Sequence, residues 1–242
     1  MKAVILCGGR GTRLSEETRT IPKPLVRIGG IPIVVHIINS YMNHGVFEFI
    51  LAVGYKGAEF YEYFSESNKV ALKKVFKGKN PLITIVDTGE DTLTGGRLLR
   101  IRDQITDSRF LMTYGDGLTN ANIKESITFH NAHGCIATIT AVRPPARFGV
   151  LHIKDTGQVD YFQEKNQTDA GWINGGYFVL NSEIFDYLDG DFSVFEEKPL
   201  KQLTADGELI AFKHDGFWQC MDTLRDKEFL EDLWNSGEPL WK

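Results

Sequence analysis

Residues 2–7 of the chain, KAVILC, form a short apolar run that stops at Gly8-Gly9. Such a run predicts a strand buried on both faces of a parallel sheet, delivering the chain into a glycine-rich turn. Glycines at 8, 9 and 11 let the backbone approach a ligand closely and aim amide N–H groups at it. The local charge points the same way. Within the first 28 residues Lys2, Arg10, Arg13, Arg19, Lys23 and Arg27 face only Glu16 and Glu17, on a chain of net charge -5. A basic start on an acidic chain predicts a local anion site. The overall negative charge offers no general attraction to nucleic acid or to an acidic membrane surface.

Further along, strand and helix patterns alternate. Residues 32–45 carry apolar positions at helical spacing and close on Gly45. Residues 47–54 read as a strand, 55–65 as a helix, 81–89 as a strand, 94–104 as a helix and 109–117 as a strand ending in a turn. This alternation predicts an α/β fold, a Rossmann-like, doubly wound and mostly parallel mixed sheet with helices on both faces. Beyond residue 134 strands dominate (135–142, 158–165, 172–180 and 208–214), with helices only over 195–207 and 223–237. With no linker or repeat in sight, 242 residues read as a single domain, residues 1–242, with halves at 1–134 and 135–242.

Several classes of function are disfavoured. Cys7, Cys135 and Cys220 are odd in number and scattered, with neither metal spacing nor a disulfide framework, so a reducing cytoplasmic setting is expected. The apolar start is too short for a signal peptide, and no stretch reaches the roughly 20 apolar residues of a membrane span. The six histidines show no ligand spacing, and His130 and His133 read as a solvated helix face.

The glycine loop is neither of the two common phosphate motifs. A Walker loop ends in Gly-Lys-Ser/Thr, which is missing, and the dinucleotide fingerprint needs a glycine where Leu14 stands. Thr12-Arg13 follow the glycines instead, and Lys23 sits in a Pro22-Lys23-Pro24 frame whose restricted backbone presents the ammonium from a pre-set loop. GGRGTRL…PKPL resembles the signature of the sugar-1-phosphate nucleotidyltransferases. Residues 87–98 (DTGEDTLTGGRL), 113–117 (TYGDG), 162–165 (FQEK), 172–180 (WINGGYFVL) and 216–234 (GFWQCMDTLRDKEFLEDLW) are similar to the glucose-1-phosphate cytidylyltransferase branch, and the likeness runs nearly end to end.

That resemblance implies transfer of a cytidylyl group from CTP to a sugar 1-phosphate, α-D-glucose 1-phosphate above all, by in-line attack with Mg²⁺. A phosphate monoester is mostly dianionic at neutral pH and needs no general base. Catalysis then rests on orientation and electrostatics. By resemblance the nucleotide site comprises Leu6, Gly8, Gly9, Gly11, Thr12, Arg13, Lys23, Thr92, Arg97 and Gly115, with Arg13 and Lys23 catalytic. Arg13 is a forked donor for the triphosphate, and Lys23 a point charge where the two phosphates meet. Tyr114, Glu164, Lys165, Asn174 and Gly175 match the sugar site, with Trp172 and Trp218 as candidate apolar walls. Asp116 and Asp222 match the Mg²⁺ ligands, although Asp222 by itself reads as the N-cap of the helix that follows it. Relatives of this kind are oligomers, so a homo-oligomer is implied.

Three features depart from the branch. Ile21 stands where a lysine is expected, Asn166 where a proline is expected, and the stretch between Phe64 and Val86 is short. They leave open another acceptor phosphate, or dTTP or UTP as donor. A non-catalytic nucleotide-binding homologue would lack a charged catalytic group, but Arg13, Lys23, Asp116 and Asp222 are all present.

Overall fold

Alternation along the first strand sets the architecture. The computed structural model describes residues 1–144, 150–163 and 171–241. In it β1 (Lys2–Leu6) sends Ala3 and Ile5 into one hydrophobic core and Val4 and Leu6 into another. The chain continues through α1 (Ser15–Thr18), the β2 (Arg27–Ile28) and β3 (Ile31–Pro32) hairpin, α2 (Ile33–Asn43), β4 (Glu48–Val53), α3 (Ala58–Tyr63), α4 (Lys69–Val75) and β5 (Leu82–Asp87). Then come α5 (Thr94–Arg100), β6 (Arg109–Tyr114), β7 (Gly117–Thr119), α6 (Ile123–His133), β8 (Ala137–Val142), and the hairpin of β9 (Val150–Ile153) and β10 (Val159–Gln163). The last elements are β11 (Ile173–Asn181), α7 (Lys198–Ala205), β12 (Leu209–His214), β13 (Trp218–Cys220) and α8 (Leu224–Asn235).

Seven strands form one sheet in the order β12-β8-β11-β6-β1-β4-β5. β1 is parallel to β4 and β6, β4 to β5, and β8 to β12, while β11 runs antiparallel between β6 and β8. One core packs α2, α6 and α8 side chains such as Ile37, Ile123 and Leu230 on one face. The other packs Leu98 of α5 and Leu203 of α7 on the opposite face. The fold is the mixed, doubly wound α/β sheet that the alternation predicts. Strand order reverses at β1, since the chain leaves it for β4 and β5 and returns to β6 on the other side. In open α/β sheets ligands bind where the carboxyl ends of such strands part. Here those ends are Leu6 and Tyr114, register partners whose loops meet through the Gly115 N–H donating to the Leu6 carbonyl at 3.1 Å.

Some elements differ from the sequence reading. Pro32 is extended and pairs with Arg27, so α2 starts at Ile33. α4 was not expected: it has no side-chain cap and leans on the core only through Leu72 and Val75. His130 is not on a solvated face but 1% exposed. The His130 Nδ1 lies 2.8 Å from the Thr138 hydroxyl, and its Nε2 3.0 Å from Asn181 Oδ1. The Thr138 oxygen also meets His133 Nε2 at 2.7 Å, and His133 Nδ1 accepts the Cys135 N–H at 3.0 Å. One assignment satisfies the whole chain, with both imidazoles neutral and protonated on Nε2, and Thr138 donating to His130. Burial lowers both imidazoles below the ordinary histidine pKa. The unfolded chain therefore binds more protons below about pH 6.5, and stability rises with pH through that window. Urea midpoints should fall on acidification from pH 7 to 5.5, and His130→Gln should flatten that slope. An unchanged slope in the variant would assign it to other groups.

Candidate active site

A cleft of about 530 Å³ opens at the strand-order reversal, within the range for small-molecule sites. Leu6, Gly8, Gly9, Gly11, Thr12, Arg13, Lys23, Thr92, Arg97, Tyr114, Gly115, Asp116, Asn174, Gly175 and Asp222 all line it. Glu164, Lys165 and Asn166 lie outside the described residues. The amide N–H groups of residues 8–11 donate to no acceptor among the described residues, so the loop offers a row of free donors to an anion. Gly11 holds φ +62, and a Cβ there would sit 2.8 Å from the Thr18 methyl. A Cβ on Gly9, which lines the cleft, would meet nothing within 4 Å.

Three distant segments meet at one ammonium. Lys23, held by Pro22 and Pro24, is 8% exposed and donates to Asp116 Oδ2 and Asp222 Oδ1, each at 2.6 Å. Arg13 donates to the other Asp222 oxygen at 2.7 Å. Burial alone would depress the Lys23 ammonium, but Asp116 and Asp222 outweigh it and hold its pKa above the usual lysine range. For Asp222, burial pulls upward and loses to Lys23 and Arg13, so its carboxyl is held low. Asp222 is not the N-cap of α8. Thr223 takes that place in a capping box with Asp226, which leaves the Asp222 carboxylate to the cleft. Ile21, in place of a lysine, packs half-buried against the core.

Arg97 is not a helix-surface charge. It is 4% exposed, and its two terminal nitrogens donate to the carbonyls of Val53, Gly89, Gly8 and Glu90 and to the Thr88 hydroxyl. One guanidinium therefore ties the glycine loop to residues 88–90. Gly8 is obligatory for that packing, since its Cβ would lie 2.1 Å from the Arg97 guanidinium carbon.

At the other end a bulge in β11 shapes the wall. The β11–β8 register shifts between Asn174 and Phe178, with Gly176 at φ +78 against the Tyr114 ring. Trp218 lines the cleft and donates to the Gly175 carbonyl at 2.7 Å. Trp172 serves elsewhere, with the Arg143 guanidinium 4.4 Å and the Lys213 ammonium 5.6 Å from its ring centre. Sequence reasoning missed Glu196, which lines the cleft, accepts the Tyr114 hydroxyl, and accepts the Thr94 hydroxyl at 2.6 Å. No motif marks it, because it lies in a loop just before α7.

Among its described residues the cleft shows no activated thiol, phenol or imidazole. None of its described lining residues is a histidine. Burial and Asp222 push the Cys220 thiol up to about 12, burial and Asp116 push Cys7 higher, and burial raises Tyr114 and Tyr177 well above the usual phenol range. Asp116 and Asp222 converge on one ammonium, as a shared cation also requires. Two carboxylates suit a hard ion such as Mg²⁺, which commonly takes one or two together with substrate phosphates. No third His, Cys, Asp or Glu joins them among the described residues, so further ligands would come from substrate and water.

A glycine cradle, a lysine between two carboxylates and a sheet switch point together define a nucleotide-handling α/β protein. The chain belongs to the nucleotidyl transferase family, whose model matches residues 2–225. It is 49% identical to a glucose-1-phosphate cytidylyltransferase of Salmonella typhimurium, over 100% of this chain and 99% of that one. It is 45% identical to a probable glucose-1-phosphate cytidylyltransferase of Bacillus subtilis, with the same coverage. Among solved structures, HddC from Yersinia pseudotuberculosis complexed with GMP-PN superposes with a TM-score of 0.74 at 25% identity, over 96% of this chain and 99% of that one.

The two adjacent glycines should separate under substitution. Gly8→Ala should cost stability, read as a lowered urea midpoint, because Arg97 must move. Gly9→Ala should melt like the parent yet bind nucleoside triphosphate at least about tenfold more weakly in calorimetry, since its methyl fills the cradle. Parental nucleotide affinity in Gly9→Ala would show that the loop is only a turn.

Proposed function

We propose that the protein transfers the cytidylyl group of CTP to α-D-glucose 1-phosphate, giving CDP-glucose and pyrophosphate. The observation that carries this reading is the meeting of Arg13, Lys23, Asp116 and Asp222 in one cleft. It occurs in a chain whose likeness to cytidylyltransferases runs end to end.

In this reading the free amides of residues 8–11 and Arg13 hold the triphosphate, and residues 1–134 form the nucleotide half. Arg97 contributes by holding the two loops that border the cleft, beside Thr92. Residues 135–242 form the sugar half, in which Asn174, Gly175 and the Glu164-Lys165 pair bind the sugar phosphate, with Tyr114 reaching them from the nucleotide half. Lys23 screens the repulsion between the acceptor dianion and the α-phosphate, which otherwise opposes their approach. Asp116 and Asp222 would hold Mg²⁺, which when bound neutralises charge on the phosphates. The acceptor oxygen attacks the α-phosphorus in line and pyrophosphate leaves, with no proton to remove first.

A homo-oligomer belongs to the proposal. The β9–β10 hairpin supports it, because Leu151, Ile153, Val159, Tyr161 and Phe162 are all about half exposed or more on it. A cytoplasmic setting is supported by three cysteines that carry no disulfide, and no helix among the described residues is long and apolar enough to cross a membrane.

Pyrophosphate release with CTP, UTP and dTTP against a panel of sugar 1-phosphates tests the reading. CTP with glucose 1-phosphate should be the best pair. Preference for dTTP or UTP, or for another acceptor, would redirect the assignment, and no release from any pair in folded protein with Mg²⁺ would overturn it. In folded samples Lys23→Ala should lower turnover about 100- to 1,000-fold. It should also cost about 3 kcal/mol of stability, because two carboxylates lose their shared cation. Parental turnover would make Lys23 structural.

A further inference from the structure

Four residues beyond Asp222, the first turn of α8 buries a carboxylate that the mechanism above does not use. Asp226 is 8% exposed. Its Oδ2 accepts the Asp222 N–H at 3.1 Å, the Thr223 N–H at 2.9 Å and the Thr223 hydroxyl at 2.8 Å. Its Oδ1 accepts the Gln219 amide nitrogen at 3.1 Å. Gln219 is itself buried, and the same nitrogen also donates to the Cys220 carbonyl at 2.7 Å.

A capping box requires only the reciprocal pair between Thr223 and Asp226. The bonds to the Asp222 amide and the Gln219 side chain go beyond it. They tie both oxygens of one carboxylate to the segment 219–223, from which Asp222 reaches Lys23 and Arg13. Helix capping does not call for a hold on the residue before the cap. Directing the Asp222 carboxylate does.

We propose that Asp226 is a positioning residue: it fixes the Asp222 backbone so that the Asp222 carboxylate converges with Asp116 on the cation the two share. This rests on the reading of Asp116 and Asp222 as that pair. A neutral amide at 226 does not substitute. With one acceptor oxygen and one donor nitrogen, asparagine must turn its nitrogen either toward three donors or toward the Gln219 amide, which the Cys220 carbonyl holds in place.

Mn²⁺ binding in the presence of CTP, followed by the free-ion paramagnetic resonance signal, reads the pair without turnover. Asp226→Asn should bind Mn²⁺ at least about tenfold more weakly, as loss of an orienting partner behind a metal ligand commonly does. Thr223→Val loses the cap hydroxyl and helix stability but keeps both N–H bonds to Asp226, and should bind Mn²⁺ within about threefold of the parent. Gln219→Met, which removes one donor and leaves the carboxylate, should fall between, and it carries the test if Asp226→Asn does not fold. Parental affinity in Asp226→Asn or, failing that variant, in Gln219→Met would overturn the proposal. So would an equal loss in Thr223→Val, which would show that any loosening of α8 suffices. A parent that binds no Mn²⁺ with CTP present would overturn the cation reading itself, and this inference with it.

Discussion

The site depends on a buried cation that needs two anions. An ammonium as enclosed as that of Lys23 is costly to bury unless it is paired and hydrogen-bonded. Its partners come from the end of β6 and from the turn before α8, while the lysine comes from a proline-framed loop near the start of the chain. Satisfying one charge thus brings three segments together. The surroundings accept that convergence only because they are stripped of side chains. A Cβ on Gly115 would lie 2.8 Å from Pro24, and one on Gly11 3.1 Å from the Lys23 Cβ.

The same arrangement limits the chemistry. Thiols and phenols in the cleft are held protonated by burial and by neighbouring carboxylates, and no imidazole lines it among the described residues. Lys23 and Arg13, paired with the two aspartates, suit binding and screening of phosphate. The reacting oxygen therefore belongs to the substrate. A phosphate monoester supplies one already ionised.

Local patterns in the sequence were the readable ones. The KAVILC strand, the glycine turn and the strand–helix alternation follow from short-range periodicity, which is enough for the mostly parallel sheet and for the glycine loop after its first strand. Asp116 could be placed at a strand end by the same logic. Its pairing with Asp222 could not, because nothing in spacing relates two residues so far apart, and local reasoning even favoured Asp222 as a helix cap until Thr223 proved to hold that place. Resemblance put Arg97 at the nucleotide site, but a helix pattern does not reveal the carbonyls that surround its guanidinium. His130 looked solvated because its partners, Thr138 and Asn181, lie on strands that come later. Glu196 and Asp226 escaped for the same reason, since each acquires its meaning only from tertiary neighbours.

In the proposed reaction a single direct displacement is organised around Lys23, with no covalent intermediate on the protein. The stereochemical course at the α-phosphorus distinguishes one displacement from two. With one diastereomer of CTP carrying sulfur on the α-phosphate, and glucose 1-phosphate as acceptor, phosphorus NMR of the sugar nucleotide reads the configuration. One in-line step predicts inversion. Retention would mean two displacements through an enzyme nucleophile and would rule out direct transfer.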